Sequence, residues 1–204
     1  MRYVLPVILF ALLAPAAQAY PKLPNPLPPV KGNPANTLLD TPIEDFRYDS
    51  ATHCKNARNP GITALANWLG AHTRGVFWGS YRCEKWGKHS ASLHAENRAI
   101  DWHLDVSSSA DRRAAEQLIR LLLAPDAAGN PQALARRMGV EELIWDCGYW
   151  GAGMTQFSEY GPCYGKRGKL KRKVDATVAH RDHVHIGMTK RGAAARNTFW
   201  SRGR

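Results

Sequence analysis

The spacing of apolar residues predicts one helix over residues 59–72 and another over residues 109–124. In the first, apolar side chains recur every three or four positions and so share one helix face: Ile62, Leu65, Trp68 and Leu69. The second, SADRRAAEQLIRLLLA, has stronger signals at its start. Ser108 or Ser109 can cap it, and Asp111 lies in its first turn.

The remaining predicted elements are a short helix and four strands. Asn130 can cap the helix, Pro131 suits its first position and Gly139 ends it. The strands are short segments with an apolar or aromatic composition: residues 75–84, 99–106, 142–146 and 183–187. Because strands and helices do not alternate regularly, we expect an α+β fold, with a small antiparallel sheet flanked by helices.

The first nineteen residues have the pattern of a cleaved signal peptide. Arg2 is followed by the apolar run VLPVILFALLAPAA and by AQA at residues 17–19. We therefore expect cleavage after Ala19 and a secreted or periplasmic protein, with no later segment apolar enough to span a membrane. Residues 20–41 are rich in proline and predict an extended tether, and residues 42–204 predict the folded domain.

The chain has four cysteines, an even number that predicts two disulfides in an exported protein. Three pairings are possible. We favour Cys54–Cys83 and Cys147–Cys163, because each pair closes a local loop. A zinc site made of all four is the alternative, but no Cys-x-x-Cys spacing supports it.

The formal net charge of +11 favours anionic surroundings, such as envelope polymers, an anionic membrane surface or nucleic acid. The densest positive segment is GKRGKLKRK, residues 165–173, in which six of nine residues are Lys or Arg. Such a run is as often a solvated loop as a binding surface.

Three of the eight histidines lie close together in AHRDHVHIG, residues 179–187. Strand alternation would place His183 and His185 on one face, where they could either meet water or bind a metal. A metal site would need further ligands, and SLHAENRAIDWH, residues 92–103, offers His94, Asp101 and His103. Two histidines and a carboxylate suit zinc. The other three histidines have no such partners and are expected at the surface: His53, His72 and His89.

Taken in order, three segments resemble the LAS-type zinc peptidases, which include D-alanyl-D-alanine metallopeptidases and vancomycin-resistance dipeptidases. That family has a Gly-Tyr-Arg segment, then Ser-x-His-x-x-Gly-x-Ala-x-Asp, then a strand ending in a ligand histidine. The matching segments here are residues 80–82, 92–101 and 182–185. Asn97 replaces the usual glycine, and we expect the turn to survive because asparagine tolerates a positive φ. The aspartate at 182 stands where the dipeptidases often have glutamate.

The resemblance implies one Zn²⁺ ion, bound by His94, Asp101 and His185. It also implies that Asp182 is the general base and that Arg82 steadies a substrate carbonyl or carboxylate. His183 is the alternative proton acceptor, or else a donor where negative charge develops. Three further residues are candidates for positions around the ligands: His180, His103 and Ser92.

The implied substrate is peptidoglycan, at its stem peptides or cross-links that contain D-alanine. Trp78, Trp145 and Trp150 are candidates for the walls of a peptide groove, although core packing is expected for Trp145. One alternative is a non-catalytic zinc module that binds cell-wall polymer. Another is a secreted metal-dependent nuclease, but no further nuclease motif is present, so no specific nucleic acid is expected.

Overall fold

The computed structural model of the chain describes Tyr20 and residues 22–202. The predicted signal peptide, residues 1–19, lies outside this part. A search of the described residues finds no helix with the length and apolar character needed to cross a membrane.

The fold is α+β, as predicted, and its centre is a six-stranded antiparallel sheet. Its strands are β1 (Val76–Gly79), β4 (Ala99–His103), β5 (Val140–Trp145), β6 (Gly148–Gly151), β7 (Ser158–Glu159) and β8 (His183–Met188). A small hairpin is formed by β2 (Lys85–Gly87) and β3 (Ser90–Ala91). The order in the large sheet is β1-β4-β8-β5-β6-β7, so the last strand in sequence lies between β4 and β5 near the centre.

The helices of the described residues are α1 (Pro60–His72), α2 (Ser109–Leu123), α3 (Ala133–Met138), α4 (Lys190–Ala193) and α5 (Thr198–Ser201). The Ser108 hydroxyl caps α2 by accepting from the backbone N–H of Asp111 at 3.3 Å, as predicted. The start of α3 was predicted two residues too early. Gln132, with a φ of 56°, precedes its first residue, and the side chain of Asn130 binds Asp126 instead of capping the helix.

The two faces of the central strands differ in polarity. On β8, Val184 and Ile186 point into the main core, where they are fully buried with side chains of α1 and α2. His183 and His185 point to the opposite face, as strand alternation requires. The core therefore fixes the orientation of β8, and the orientation of β8 fixes where its histidines lie.

The segment predicted as a tether contributes to the core. Leu23, Ala35 and Leu38 are buried, and a short 3₁₀ helix spans Pro34–Leu38. The buried guanidinium of Arg137 donates to the backbone carbonyl of Leu38 at 2.8 Å. In contrast to the prediction, this segment is attached to the domain, because Leu23, Ala35 and Leu38 are buried and the carbonyls of Leu38 and Thr41 both accept from the Arg137 guanidinium.

Both favoured disulfides are present. Cys54 and Cys83 have their Cα atoms 5.3 Å apart, and Cys147 and Cys163 have theirs 5.6 Å apart. No cysteine is free. Two disulfides indicate an oxidising compartment.

Candidate metal site

The structure brings His94, Asp101 and His185 together in one buried cluster, although ninety residues separate the first from the last. Nε2 of His94 lies 3.0 Å from Oδ1 of Asp101 and 3.0 Å from Nδ1 of His185. The three ligand atoms lie within 4.8 Å of one another, so this cluster can hold a metal ion.

Strand register accounts for two of the three positions. Asp101 on β4 is paired directly with His185 on β8. Directly opposed residues of antiparallel strands point to the same face with their Cβ atoms about 5 Å apart. A side chain at Gly187 on this face would overlap Leu93, since a Cβ there would lie 2.3 Å from Cδ1 of that leucine.

His94 reaches the cluster from a 3₁₀ helix over Leu93–Glu96, which two residues separate from β4. The Ser92 hydroxyl accepts from the backbone N–H of His94 at 3.3 Å and so caps this helix. Asn97 ends it in the left-handed conformation, with a φ of 52°. The expectation that asparagine can make this turn is confirmed. Its side-chain amide also donates to the carbonyl of Ala57 at 2.8 Å.

Each ligand histidine has its second ring nitrogen occupied. Nδ1 of His94 lies 2.7 Å from the carbonyl oxygen of Ser80, and Nε2 of His185 lies 3.0 Å from Oε1 of Glu142. A carbonyl or carboxylate oxygen can only accept, so these nitrogens carry the protons. When both imidazoles are neutral, the lone pairs of the other two nitrogens face the cluster, which is the usual arrangement around a protein-bound metal.

The sequence prediction missed Glu142 and Tyr48. The Tyr48 hydroxyl donates to Oε2 of Glu142 at 2.6 Å, across a sequence separation of 94 residues. Burial and the negative charge of Glu142 raise the pKa of Tyr48 far above its ordinary value, so the phenol remains a donor. An acidic residue inside a predicted buried strand was the available signal for Glu142, and nothing local marked Tyr48.

The ionisable groups of the cluster shift one another's pKa values. Burial alone would raise the pKa of Asp101, but hydrogen bonds from His185 and His94 outweigh it and hold that pKa well below its usual range. Burial would likewise lower the pKa of His185, yet Asp101 and Glu142 raise it to about 9. For His94, burial prevails and its pKa is lowered. The cluster thus attracts positive charge, as a cation site must.

Arg82 lies at the edge of the cluster. Its Nη1 donates to Oδ2 of Asp101, and its Nε lies 2.9 Å from Oε1 of Glu84. The guanidinium binds the oxygen of Asp101 that does not face His94. Its side chain is 42% exposed, so some of its N–H groups remain accessible to a ligand.

His183 and Asp182 form a hydrogen-bonded pair next to the cluster. Nδ1 of His183 lies 2.7 Å from Oδ1 of Asp182, and Oδ2 of Asp182 accepts from the Thr177 hydroxyl at 2.5 Å. Nε2 of His183 is buried without a hydrogen-bond partner and lies 3.4 Å from Oδ1 of Asp101. The carboxylate of Asp182 is thus engaged on both oxygens, while the free nitrogen of His183 is directed at the ligands.

The other two predicted histidines pack around this pair and donate to no ligand. The ring of His180 lies 4.6 Å from that of His183, and burial lowers its pKa well below the ordinary value. Nδ1 of His103 lies 2.6 Å from the carbonyl oxygen of Asp182, and its ring stacks on Trp78 at 4.4 Å. His103 thus contacts the backbone of Asp182, and His180 contacts the ring of His183 and, at 5.8 Å, that of His185.

The three tryptophans occupy different environments. Trp145 and Trp150 are buried in the core, as was expected of Trp145, and Trp78 is 52% exposed. The Trp78 ring lies 6.0 Å from the ring of His183, so it forms part of the rim of the site. The three histidines expected at the surface are exposed: His53, His72 and His89.

Comparison with protein-family models, with curated protein sequences and with solved structures finds no significant match to this chain. A functional proposal therefore rests on the geometry of the site and on the sequence of this chain.

Proposed function

We propose that this protein is a secreted zinc peptidase that hydrolyses peptide bonds in the stem peptides or cross-links of peptidoglycan. One observation carries the proposal: the unpartnered Nε2 of buried His183 faces a cluster of two imidazole nitrogens and one carboxylate oxygen. A set of three metal ligands alone would also fit a structural metal site. A proton acceptor directed at its ligands is what a hydrolytic site requires.

The residues present fit a catalytic zinc ion. Catalytic zinc sites use three protein ligands and keep a further position open. Here His94, Asp101 and His185 would be the three ligands, and Ser80 and Glu142 would hold the two imidazoles in the right tautomer. A bound Zn²⁺ ion supplies a Lewis acid that lowers the pKa of water from about 16 towards about 7.

Within this proposal His183, and not Asp182, is the residue that accepts the proton from water. It takes the proton at Nε2, and Asp182 holds the ring through Nδ1 and stabilises the imidazolium that forms. Asp182 cannot easily act as the base itself, because its two oxygens already bind His183 and Thr177. The proton then passes from Nε2 to the amine that leaves when the peptide bond breaks.

Arg82 would bind the substrate next to this pair. Its guanidinium is anchored by Asp101 and Glu84, which leaves exposed N–H groups at the mouth of the site. A planar guanidinium of this kind suits a peptide carboxylate or a carbonyl oxygen that becomes negative.

Three independent features favour peptidoglycan as the substrate. The ordered motifs resemble those of LAS-type peptidases, the two disulfides indicate an oxidising compartment, and the net charge of +11 suits an acidic polymer.

Mass spectrometry of the peptides released from purified peptidoglycan tests the proposal. The protein without residues 1–19 is incubated with zinc, with a chelator, and with zinc restored, and His185→Ala is compared with His72→Ala, whose histidine is exposed and remote from the cluster. New fragments that disappear with chelator and with His185→Ala support a zinc peptidase, and their ends identify the bond. If the folded, zinc-loaded protein cleaves none of several wall types, a non-catalytic polymer-binding module replaces this proposal.

A further inference from the structure

A dense run of positive residues lies outside the candidate metal site. The basic loop, residues 165–173, carries four lysines and two arginines, and every residue in it is exposed. Lys171 uses its ammonium group within the protein, where it donates to the carbonyl of Pro162 at 2.7 Å. The other five cations make no side-chain hydrogen bond or salt bridge within the part of the chain that the structure describes: Lys166, Arg167, Lys169, Arg172 and Lys173.

The backbone of the basic loop is held in a defined conformation. The backbone N–H of Gly165 donates to the carbonyl of Lys169 at 2.8 Å, and that of Lys171 donates to the carbonyl of Cys163 at 2.9 Å. Cys163 is itself fixed by its disulfide to Cys147. Five positive side chains therefore extend from a backbone that is held in place. Their mutual repulsion is unfavourable, and an anionic partner would reduce it.

The basic loop is also next to the catalytic pair in the chain. Thr177, four residues beyond it, donates to Oδ2 of Asp182. The backbone N–H of Ala179 donates to the carbonyl of Asp175 at 2.9 Å, which makes the connection a short turn. The basic loop thus leads directly into the turn that holds Asp182.

We propose that the basic loop binds the free carboxylates of the peptidoglycan network and keeps the enzyme on this insoluble polymer, separately from the site that cleaves it. The choice of polymer rests on the proposed function. The stem peptides carry carboxylates at every repeat, so the network is a polyanion whose charges recur along the surface. Lysine-rich segments bind such charges as point contacts, without the bidentate geometry that arginine imposes.

The test compares two triple variants with the same change in net charge. One is Lys169→Gln, Arg172→Gln and Lys173→Gln in the basic loop. The control is Lys190→Gln, Arg191→Gln and Arg196→Gln, three exposed cations outside the basic loop. Both are made in an Asp182→Asn background, so that the polymer stays intact, and binding to purified insoluble peptidoglycan is measured by co-sedimentation over a range of salt concentrations.

We expect the loop variant to bind at least about tenfold more weakly, since each cation beside an anionic surface contributes about fivefold in affinity. Its binding should also depend less steeply on salt, because fewer counterions are released. The control variant should bind like the parent. Amidation of the wall carboxylates with carbodiimide should weaken binding of the parent to the level of the loop variant.

Equal weakening in the control variant would reduce the effect to net charge and overturn the proposal. So would unchanged binding of the parent to amidated wall, or equally tight binding of duplex DNA, which would indicate a general polyanion surface.

The same loop substitutions without Asp182→Asn are assayed on a soluble stem peptide, where turnover should be unchanged. A loss there would place the loop in the active site instead. Sedimentation needs no cleavage, so loop-dependent binding with no released peptides would leave this proposal intact and refute only the peptidase.

Discussion

The candidate site has two halves that are held in place by different means. Asp101 and His185 belong to paired central strands whose opposite face is packed in the core. Arg82 and Asp182 belong to segments without regular secondary structure, residues 80–84 and 175–182. The strand half is positioned by backbone register and core packing, whereas the loop half needs other restraints.

Each disulfide supplies such a restraint for one segment of the loop half. Cys83 follows Arg82 directly and is bonded to Cys54. Cys147 is bonded to Cys163, and its backbone N–H donates to the carbonyl of Ala179 at 2.9 Å. Under the proposed function, the two halves have different roles: the sheet sets the affinity for metal, and the cross-linked loops set the geometry of proton transfer.

The largest expected effect comes from breaking the strand half. Under the proposed function, His185→Ala removes one of three zinc ligands and should abolish stable zinc binding, and activity with it. The metal content of the dialysed protein, measured by inductively coupled plasma mass spectrometry, checks this. His72→Ala should retain zinc at the parent level, and a His185→Ala protein that still held one equivalent would exclude this histidine as a ligand.

A change in the loop half should separate turnover from metal binding. Asp182→Asn keeps the three ligands but removes the carboxylate from Nδ1 of His183, so zinc content should stay normal while turnover falls by about 10²–10⁴-fold. Released peptides are quantified against time at saturating zinc. Near-normal turnover in this variant would remove Asp182 from the catalytic machinery.

The support behind His185 should have a smaller effect, and it should act on metal affinity. Glu142→Gln weakens the hydrogen bond that holds the imidazole, and we expect zinc to bind about 10–100-fold more weakly. Competition with a chromogenic chelator measures the affinity. Tyr48→Phe, which removes only the bond to Glu142, should give a change in the same direction but smaller. If it exceeded that of Glu142→Gln, the proposed chain of support would be wrong.

The smallest expected effect on the site comes from removing the disulfide that restrains the segment bearing Asp182. Replacing Cys147 and Cys163 together by alanine should lower the free energy of unfolding by about 3 kcal/mol. In the protein that remains folded, turnover should fall more than zinc affinity, because the loop bearing Asp182 is loosened while the strands are not. Thermal unfolding and chelator competition are measured on the same sample. An equal loss of both properties would contradict the division between the two halves.

Local patterns were sufficient for much of the fold. Spacing of apolar residues predicted α1 and α2, and short apolar segments predicted the central strands β4, β5 and β8. These predictions succeed because helix and strand periodicity act over a few residues. The same reasoning fails for residues 20–41, where proline content predicted a tether although Leu23 and Leu38 are buried.

The sequence by itself determined which face of β8 carries histidines, and its spacings, together with the resemblance, singled out His94, Asp101 and His185 as one set. Only the tertiary structure decided what surrounds them. Glu142 lies behind His185 because β5 pairs with β8. Asp182 turns to His183 and away from the ligands because Thr177 and the nearby loop hold it. Strand pairing and loop contacts between distant segments depend on the free energy of packing the whole chain, and no local pattern encodes them.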